Sequence, residues 1–296
     1  MILVTGATGT VGHALVPKLL ERGDEVRVLV RDPRKLGRLR VEVRIALGDL
    51  TELADPRVVR QALRGADTVI HLAAAIRDQP RAPVEELNGL ATARLLRASE
   101  EAGVGRFVFF SAIGATEFQR TRFFRAKALA ERTVLASELD ATVFAPSIVY
   151  DRDDPWVTTM RRLALLPALP ISGEGESAYE PIWADDVARC VVADLARGDG
   201  GSRRLELAGP ERLTYDQIAR LIARAAGRDR PLMHVPLGLV RFGLAGLRRA
   251  VGDAVFATWE EAELMEVPML SERGTADAEG LGIEPRRMGE VLGLSR

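Results

Sequence analysis

The chain is predicted to fold as α/β, with a doubly wound parallel sheet and a smaller interleaved C-terminal lobe. Three observations predict this. Short apolar runs alternate with stretches of helical period through the first half of the chain. The first run breaks into a glycine turn that opens a helix. The alternation recurs at the pitch that right-handed β-α-β crossovers require.

Met1-Ile2-Leu3-Val4 begins the first strand, 1–5, and the helix after its turn is expected at 11–22. Further strands are expected at 25–30, 41–47, 67–73, 106–111 and 141–145, each a short apolar run bounded by turn residues. Between them helices are expected at 56–63, 84–102 and 122–138. In the 84–102 helix Leu87, Leu90, Leu95 and Ala98 share a broad face, and Gly103 ends it. After residue 150 the rhythm loosens, with Pro155, Pro167, Pro170, Gly173 and Gly175 marking a loop-rich excursion. A helix at 184–197, a strand at 203–208 and a helix at 214–226 follow. Residues 1–150 and 184–208 are therefore assigned to the doubly wound domain, and 151–183 with 209–296 to a smaller lobe.

Composition narrows the function. The 296 residues are 47% hydrophobic, ample for a sizeable core. A net charge of −1 gives no field that would draw in nucleic acid or an anionic membrane. A single cysteine, Cys190, excludes an intramolecular disulfide and reads as a buried structural thiol. His13, His71 and His234 lack metal-ligand spacing, and no metal is expected. The first strand starts at residue 1 and no run nears eighteen apolar residues, so a cytoplasmic protein without a membrane span is expected. Arginine outnumbers lysine heavily, and Lys18, Lys35 and Lys127 are the only lysines.

The glycine turn reads Thr5-Gly6-Ala7-Thr8-Gly9-Thr10-Val11-Gly12. Gly6 allows the turn, Gly9 removes a Cβ that would hold off a pyrophosphate, and Gly12 lets helix and strand pack closely. Thr8, Thr10 and Val11 complete a phosphate cradle of main-chain amides at the helix start. A purely structural glycine turn is the plain alternative. At the end of the second strand an acidic residue would favour NAD, but the chain reads Val30-Arg31-Asp32-Pro33-Arg34-Lys35. Arg31, supported by Arg34 and Lys35, suits a 2′-phosphate, so NADP is expected over NAD. An ordinary solvated basic turn remains open, and Asp32 complicates the reading. Asp49, in Gly48-Asp49-Leu50, either accepts from an adenine amino group or caps a helix. The small Ala73 and Ala74 after His71-Leu72 leave room for a ribose against the backbone.

These segments resemble the short-chain dehydrogenase/reductase superfamily, extended or atypical branch, over nearly the whole chain. The resemblance also rests on Asn88, on Arg106-Phe107-Val108-Phe109-Phe110-Ser111, on Pro181-Ile182-Trp183-Ala184-Asp185-Asp186-Val187-Ala188, and on Leu207-Ala208-Gly209-Pro210 leading to Leu213-Thr214-Tyr215. It is nearest the atypical subgroup that includes the nucleotide-binding accessory subunit of respiratory complex I; NmrA-like regulators lie further off. The resemblance implies a tyrosine four residues before a lysine, the phenol donating a proton and the ammonium holding the nicotinamide ribose. Lys127 stands where that lysine belongs, after Ser111, but Phe123 replaces the tyrosine. No other tyrosine has a lysine four positions on.

Ser111 and Lys127 are thus the candidate catalytic pair, with Lys127 also a ribose contact. The backbone at Pro146 and Ile148 is expected beside the nicotinamide, and Tyr150 is expected to pack. Asp185 and Asp186 read as a capping pair for a helix beginning at Val187. Val240, Leu244, Leu247 and Val251 recur at helical spacing with Arg241, Arg248 and Arg249, either closing the small lobe's core or contacting a substrate or membrane surface. Two functions follow. One is an NADP(H)-dependent oxidoreductase acting on an apolar, quinone-like or enone substrate. The other is a catalytically silent NADP(H)-binding sensor or assembly protein acting through a protein partner.

Overall fold

The computed structural model describes residues 1–49, 51, 55–80, 82–198, 200–236 and 263–294. Leu50 and the 237–251 stripe lie outside the described residues. The chain begins β1 (Ile2–Thr5), α1 (Thr10–Glu21), β2 (Val26–Val30), β3 (Arg44–Leu47), α2 (Pro56–Leu63) and β4 (Thr68–His71). It continues α3 (Ala91–Glu101), β5 (Arg106–Phe110), α4 (Arg122–Leu135) and β6 (Asp140–Pro146). Then come β7 (Val149–Tyr150), α5 (Pro155–Leu163), β8 (Leu169–Ser172), β9 (Ala178–Tyr179), β10 (Ile182–Trp183), α6 (Ala184–Arg197), β11 (Arg203–Leu207) and β12 (Leu213–Thr214). Last are α7 (Tyr215–Ala225), β13 (Leu232–Val235), α8 (Ala276–Gly280) and α9 (Met288–Val291).

Among the described residues seven strands form one sheet in the order β11-β6-β5-β4-β1-β2-β3, every pair parallel. This is the doubly wound Rossmann arrangement. Both faces are covered, and the strands divide their side chains between them with period two. Ile2, Val4, Val28, Ile70, Val108, Phe110 and Phe144 pack with α1 and α6 on one face. Leu3, Leu29, Val69, Phe107, Phe109 and Val143 pack with α2, α3 and α4 on the other. A second core gathers Tyr150, Met160, Tyr179, Tyr215 and Ile218 from the later segments, where β7, β8 and β9 form short two-stranded pairs with β10, β13 and β12. Cys190 is fully buried in the first core. No helix among the described residues is long and apolar enough to cross a membrane.

Several expected boundaries move, each for a local reason. β3 starts at Arg44 rather than residue 41, because Pro33–Val41 forms 3₁₀ turns that Asp32 opens by accepting from the Arg34 amide at 3.0 Å. The helix expected at 84–102 runs without a break from 84 to 101, with a π turn at Glu86–Leu90 leading into α3. The fourth strand ends at His71, so residues 72 and 73 leave the ladder. Asp185 and Asp186 do not cap a helix at Val187. α6 begins at Ala184, with Trp183 at its N-cap and both acids inside the first turn. There Asp185 pairs with Lys18 of α1 at 2.6 Å, while buried Asp186 accepts from the Arg286 amide at 2.8 Å and ties down the C-terminal segment.

Candidate functional site

In a parallel sheet all carboxyl ends share one edge, and a crevice opens there where the strand order reverses. Here the reversal falls between β1 and β4. A cleft of about 630 Å³ lies at this edge, lined by the ends of β1 to β4 and the segments after them.

The three glycines have separable duties. Gly6 has φ +75°, and a Cβ on it would lie 2.5 Å from the Ala73 nitrogen. A Cβ on Gly12 would lie 2.5 Å from the Gly6 carbonyl oxygen and 2.6 Å from Ala7 backbone, so this glycine lets helix α1 close on the turn itself. Gly9 differs. It lines the cleft, and a Cβ there would meet only the Gly6 oxygen, at 3.4 Å. Internal packing therefore does not require glycine at position 9, and its absent side chain leaves the cleft open there. Gly9 is also the N-cap of α1, with no side-chain cap and no acidic residue in the first turn. The amides of Thr10, Val11 and Gly12 thus stand at an uncapped helix start, which favours an anion. A dinucleotide's pyrophosphate fits this cradle.

Gly6, Thr8, Gly9, Arg31, Asp49, Ala73 and Ala74 line the cleft together. Arg31 is exposed at the end of β2 and makes no ion pair among the described residues. Asp32 is occupied. Its carboxylate accepts from the Arg34 guanidinium at 3.0 and 3.3 Å, and those hydrogen bonds hold it below the usual carboxylate range. Asp32 and Arg34 thus satisfy each other beside the cleft, and Arg31 is a cation that lines it, as is Arg77. Lys35 is exposed and outside the lining. Asp49 Oδ1 accepts from the Thr51 amide at 2.7 Å, and Asp55 caps α2.

Thr10, Val11 and Gly12 are not among the lining residues, and neither are Ser111, Lys127, Pro146 and Ile148. The last four gather at the ends of β5 and β6 and on α4. The Ser111 amide donates to Phe144 O at 2.8 Å and the Ile113 amide to Pro146 O at 2.9 Å, so the two loops run side by side. Ser111 Oγ is buried without a hydrogen-bond partner among the described residues. Lys127 is 3% exposed, and its Nζ donates to Phe110 O at 2.7 Å. Its ammonium lies 4.8 Å from the Phe109 ring centre and 5.9 Å from that of Phe123. Burial pushes its pKa down to about 7, so it holds or releases a proton at neutral pH.

Phe123 is half-buried, edge-on to Phe124. No tyrosine replaces the absent phenol. The Tyr179 hydroxyl donates to Met265 O, that of Tyr215 meets the Met160 sulfur at 3.8 Å, and that of buried Tyr150 has no partner. None hydrogen-bonds Lys127 or Ser111 among the described residues. No described group of three or more His, Cys, Asp or Glu could hold a metal ion. Residues the motif reading did not single out also line the cleft: Thr5, Ala75, Arg77 and Gln79. Arg77 and Gln79 lie on an irregular loop, where no periodicity marks them. Thr5 opens the glycine turn but has no spacing of its own that marks it.

A family model described as NAD(P)H-binding matches residues 6–197. The chain is 31% identical over 271 residues to sterol demethylase protein B of Methylococcus capsulatus, covering 83% of this chain and 80% of that protein. It is 30% identical over 237 residues to the mitochondrial NADH dehydrogenase (ubiquinone) 1 alpha subcomplex subunit 9 of Arabidopsis thaliana. That match covers 74% of this chain but spans only 56% of the plant protein. Among solved structures, the UDP-glucose 4-epimerase of Thermus thermophilus in complex with NAD superimposes with a TM-score of 0.74 at 21% identity, covering 99% of this chain and 96% of that one. This last likeness shows the fold.

Proposed function

Because the chain belongs to the NAD(P)H-binding family, within the atypical short-chain dehydrogenase/reductase group, we propose that it is an NADP(H)-dependent oxidoreductase acting on an apolar, quinone-like or enone acceptor. The observation that carries this reading is a glycine cradle joined in one cleft to Arg31, which makes no ion pair among the described residues. Gly9 and the first-turn amides of α1 would hold the pyrophosphate, Arg31 the 2′-phosphate, Asp49 the adenine side, and Lys127 the nicotinamide ribose. Bound NADPH supplies a hydride. The division into a nucleotide domain, 1–150 with 184–208, and a substrate-side lobe, 151–183 with 209–296, belongs to the same reading.

The residues' own task is to hold the acceptor and manage one proton. Ser111 Oγ, buried without a partner, is available to a substrate oxygen. Lys127, with a pKa of about 7, takes the donor's part that a phenol would otherwise play. Ile148 and Phe123, partly buried against the second core, would offer apolar contact to an acceptor held near Lys127, which suits a conjugated acceptor better than a sugar.

A specific observation favours a second reading, a nucleotide-binding protein that acts through a protein partner. Phe123 has no proton to give, and Lys127 is nearly closed off from solvent. A relative named as a subunit of a respiratory complex is compatible with that role. NADPH consumption with quinones, enones and carbonyls separates the two. Turnover that falls in Ser111→Ala and Lys127→Ala supports the oxidoreductase; NADPH binding with no turnover on any acceptor supports the partner-dependent protein.

Two further outcomes are expected. Arg31→Ala weakens NADPH binding by about tenfold to a hundredfold, the value of a charge-assisted contact, and leaves NADH affinity unchanged. Equal NADPH and NADH affinities in the wild type, measured by calorimetry, would remove the NADP assignment. Phe123→Tyr restores a phenol four residues before Lys127, and carbonyl reduction is expected to rise by about a hundredfold. No gain in that variant would mean that the acid is not what the site lacks.

A further inference from the structure

Beneath the cleft the buried polar groups form one directed chain. Thr92, in the first turn of α3, donates its hydroxyl to Asn88 O at 2.6 Å. With that hydrogen committed, Thr92 Oγ1 must accept from His71 Nε2, 3.0 Å away. His71 therefore carries its proton on Nε2 and leaves Nδ1 as an acceptor. Thr5 Oγ1, 2.7 Å from Nδ1, is then the donor, and it accepts in turn from the Ala73 amide at 3.3 Å.

Every member is buried: His71 and Thr92 are 0% exposed and Thr5 1%. The imidazole lies 5.9 Å from the Phe109 ring at an interplanar angle of 23°, which fixes its plane. Burial, with the nearby Lys127 charge, holds His71 down to a pKa of about 3, so the ring stays neutral. The opposite tautomer would set Nε2 and Thr92 lone pairs against each other in a dry interior, at high cost.

Both ends of the chain touch the cleft wall. Thr5 and Ala73 line it, and the Ala73 nitrogen is the atom a Cβ on Gly6 would strike. At the other end Asn88 grips Ala75 from both sides, Nδ2 donating to its carbonyl at 2.7 Å and Oδ1 accepting from its amide at 3.1 Å. The β1–β4 ladder reaches its last pair at Thr5 and His71, followed by one bond from the Leu72 amide to Thr5 O at 3.1 Å. Past that point the crevice opens, and the side-chain chain continues the cross-link where the ladder stops.

We propose that His71 is a positioning residue for the cleft: its Nε2–H tautomer holds the glycine turn after β1 and the Leu72–Ala75 segment after β4 at one separation. This rests on reading the cleft as the nucleotide site. His71→Phe keeps a ring against Phe109 but removes both hydrogen bonds; Thr5→Val removes the neighbouring hydroxyl.

Two measurements test it. In nucleotide-free protein, His71→Phe is expected to speed amide exchange at Ala73 and Ala75 at least about tenfold while the β5 amides keep their protection. NADPH affinity is expected to fall by about tenfold or more, with His71→Phe/Thr5→Val no worse than His71→Phe alone, since the two act as one unit. His71→Asn, whose Oδ1 can replace Nδ1 as acceptor, is expected to recover part of both. Unchanged exchange at Ala73 and Ala75, or loss of protection at β5 in step with them, overturns the proposal. If wild-type protein binds no NADPH, the nucleotide reading fails, and the exchange measurement still decides the role of His71.

Discussion

Gly9→Val is expected to lower NADPH affinity by about a hundredfold or more while moving the melting temperature by only about 2 °C. Gly9 has φ −88° and ψ 173°, a conformation any residue adopts, and its added side chain meets little protein, the nearest contact to a Cβ being 3.4 Å. Valine is a poorer N-cap than glycine, which costs under about 1 kcal/mol. The damage falls on the ligand, because the new methyl groups enter the cleft where phosphate must approach the helix amides. Gly12→Ala supplies the contrast. Its Cβ would meet backbone at 2.5 Å, so a loss of stability on the order of 3 kcal/mol is expected, with binding lost only as the fold loosens. Calorimetric titration beside thermal melts separates the two variants. If Gly9→Val binds NADPH as the wild type does, the phosphates do not lie on this turn.

Lys127→Met is expected to change the pH dependence of stability more than any other substitution considered. The lysine's pKa is about 7 in the folded protein and about 10.4 when unfolded. Below pH 7 both states bind the proton, and the fold carries a buried ammonium. Between pH 7 and 10 the unfolded state binds more protons than the folded one, so wild-type stability gains steadily with pH. The methionine variant lacks that gain. Its stability relative to wild type should therefore be most favourable below pH 7 and decline by about 4 kcal/mol toward pH 10. The Phe110 carbonyl left without its donor adds an offset that pH does not alter. Urea midpoints at pH 6, 8 and 10 measure the difference, in which titrations common to both proteins cancel. Parallel curves would mean that Lys127 is not buried as a charge-averse amine.

The parts of the site that were legible in advance are those carried by local chemistry. A glycine that must adopt positive φ, an N-terminal helix turn, and a cation in place of an acid at the end of β2 are all visible in the order of residues. The absence of the phenol was visible as well, because Phe123 and Lys127 are joined by one helical turn. Less legible was the use of each acid. Asp186 sits in a first turn and reads as a cap, yet it accepts from the Arg189 side chain and from the amide of Arg286, one hundred residues away. Asp32 reads as a rival for a ribose hydroxyl until Arg34 is found to occupy it. His71 carried no periodic signal that would separate a core histidine from a working one, since its partners Thr5 and Thr92 come from different elements.

The sequence alone determined the periodicities, and through them the parallel sheet, its carboxyl-edge crevice and the place of the glycine turn. These follow from steric and hydrogen-bonding rules that act over a few residues. Only the tertiary structure decided the burial of Lys127 at Phe110, the directed chain through His71, and which charges satisfy one another. Burial and pairing depend on residues distant in the chain, and a side chain's protonation answers to what surrounds it rather than to what precedes it.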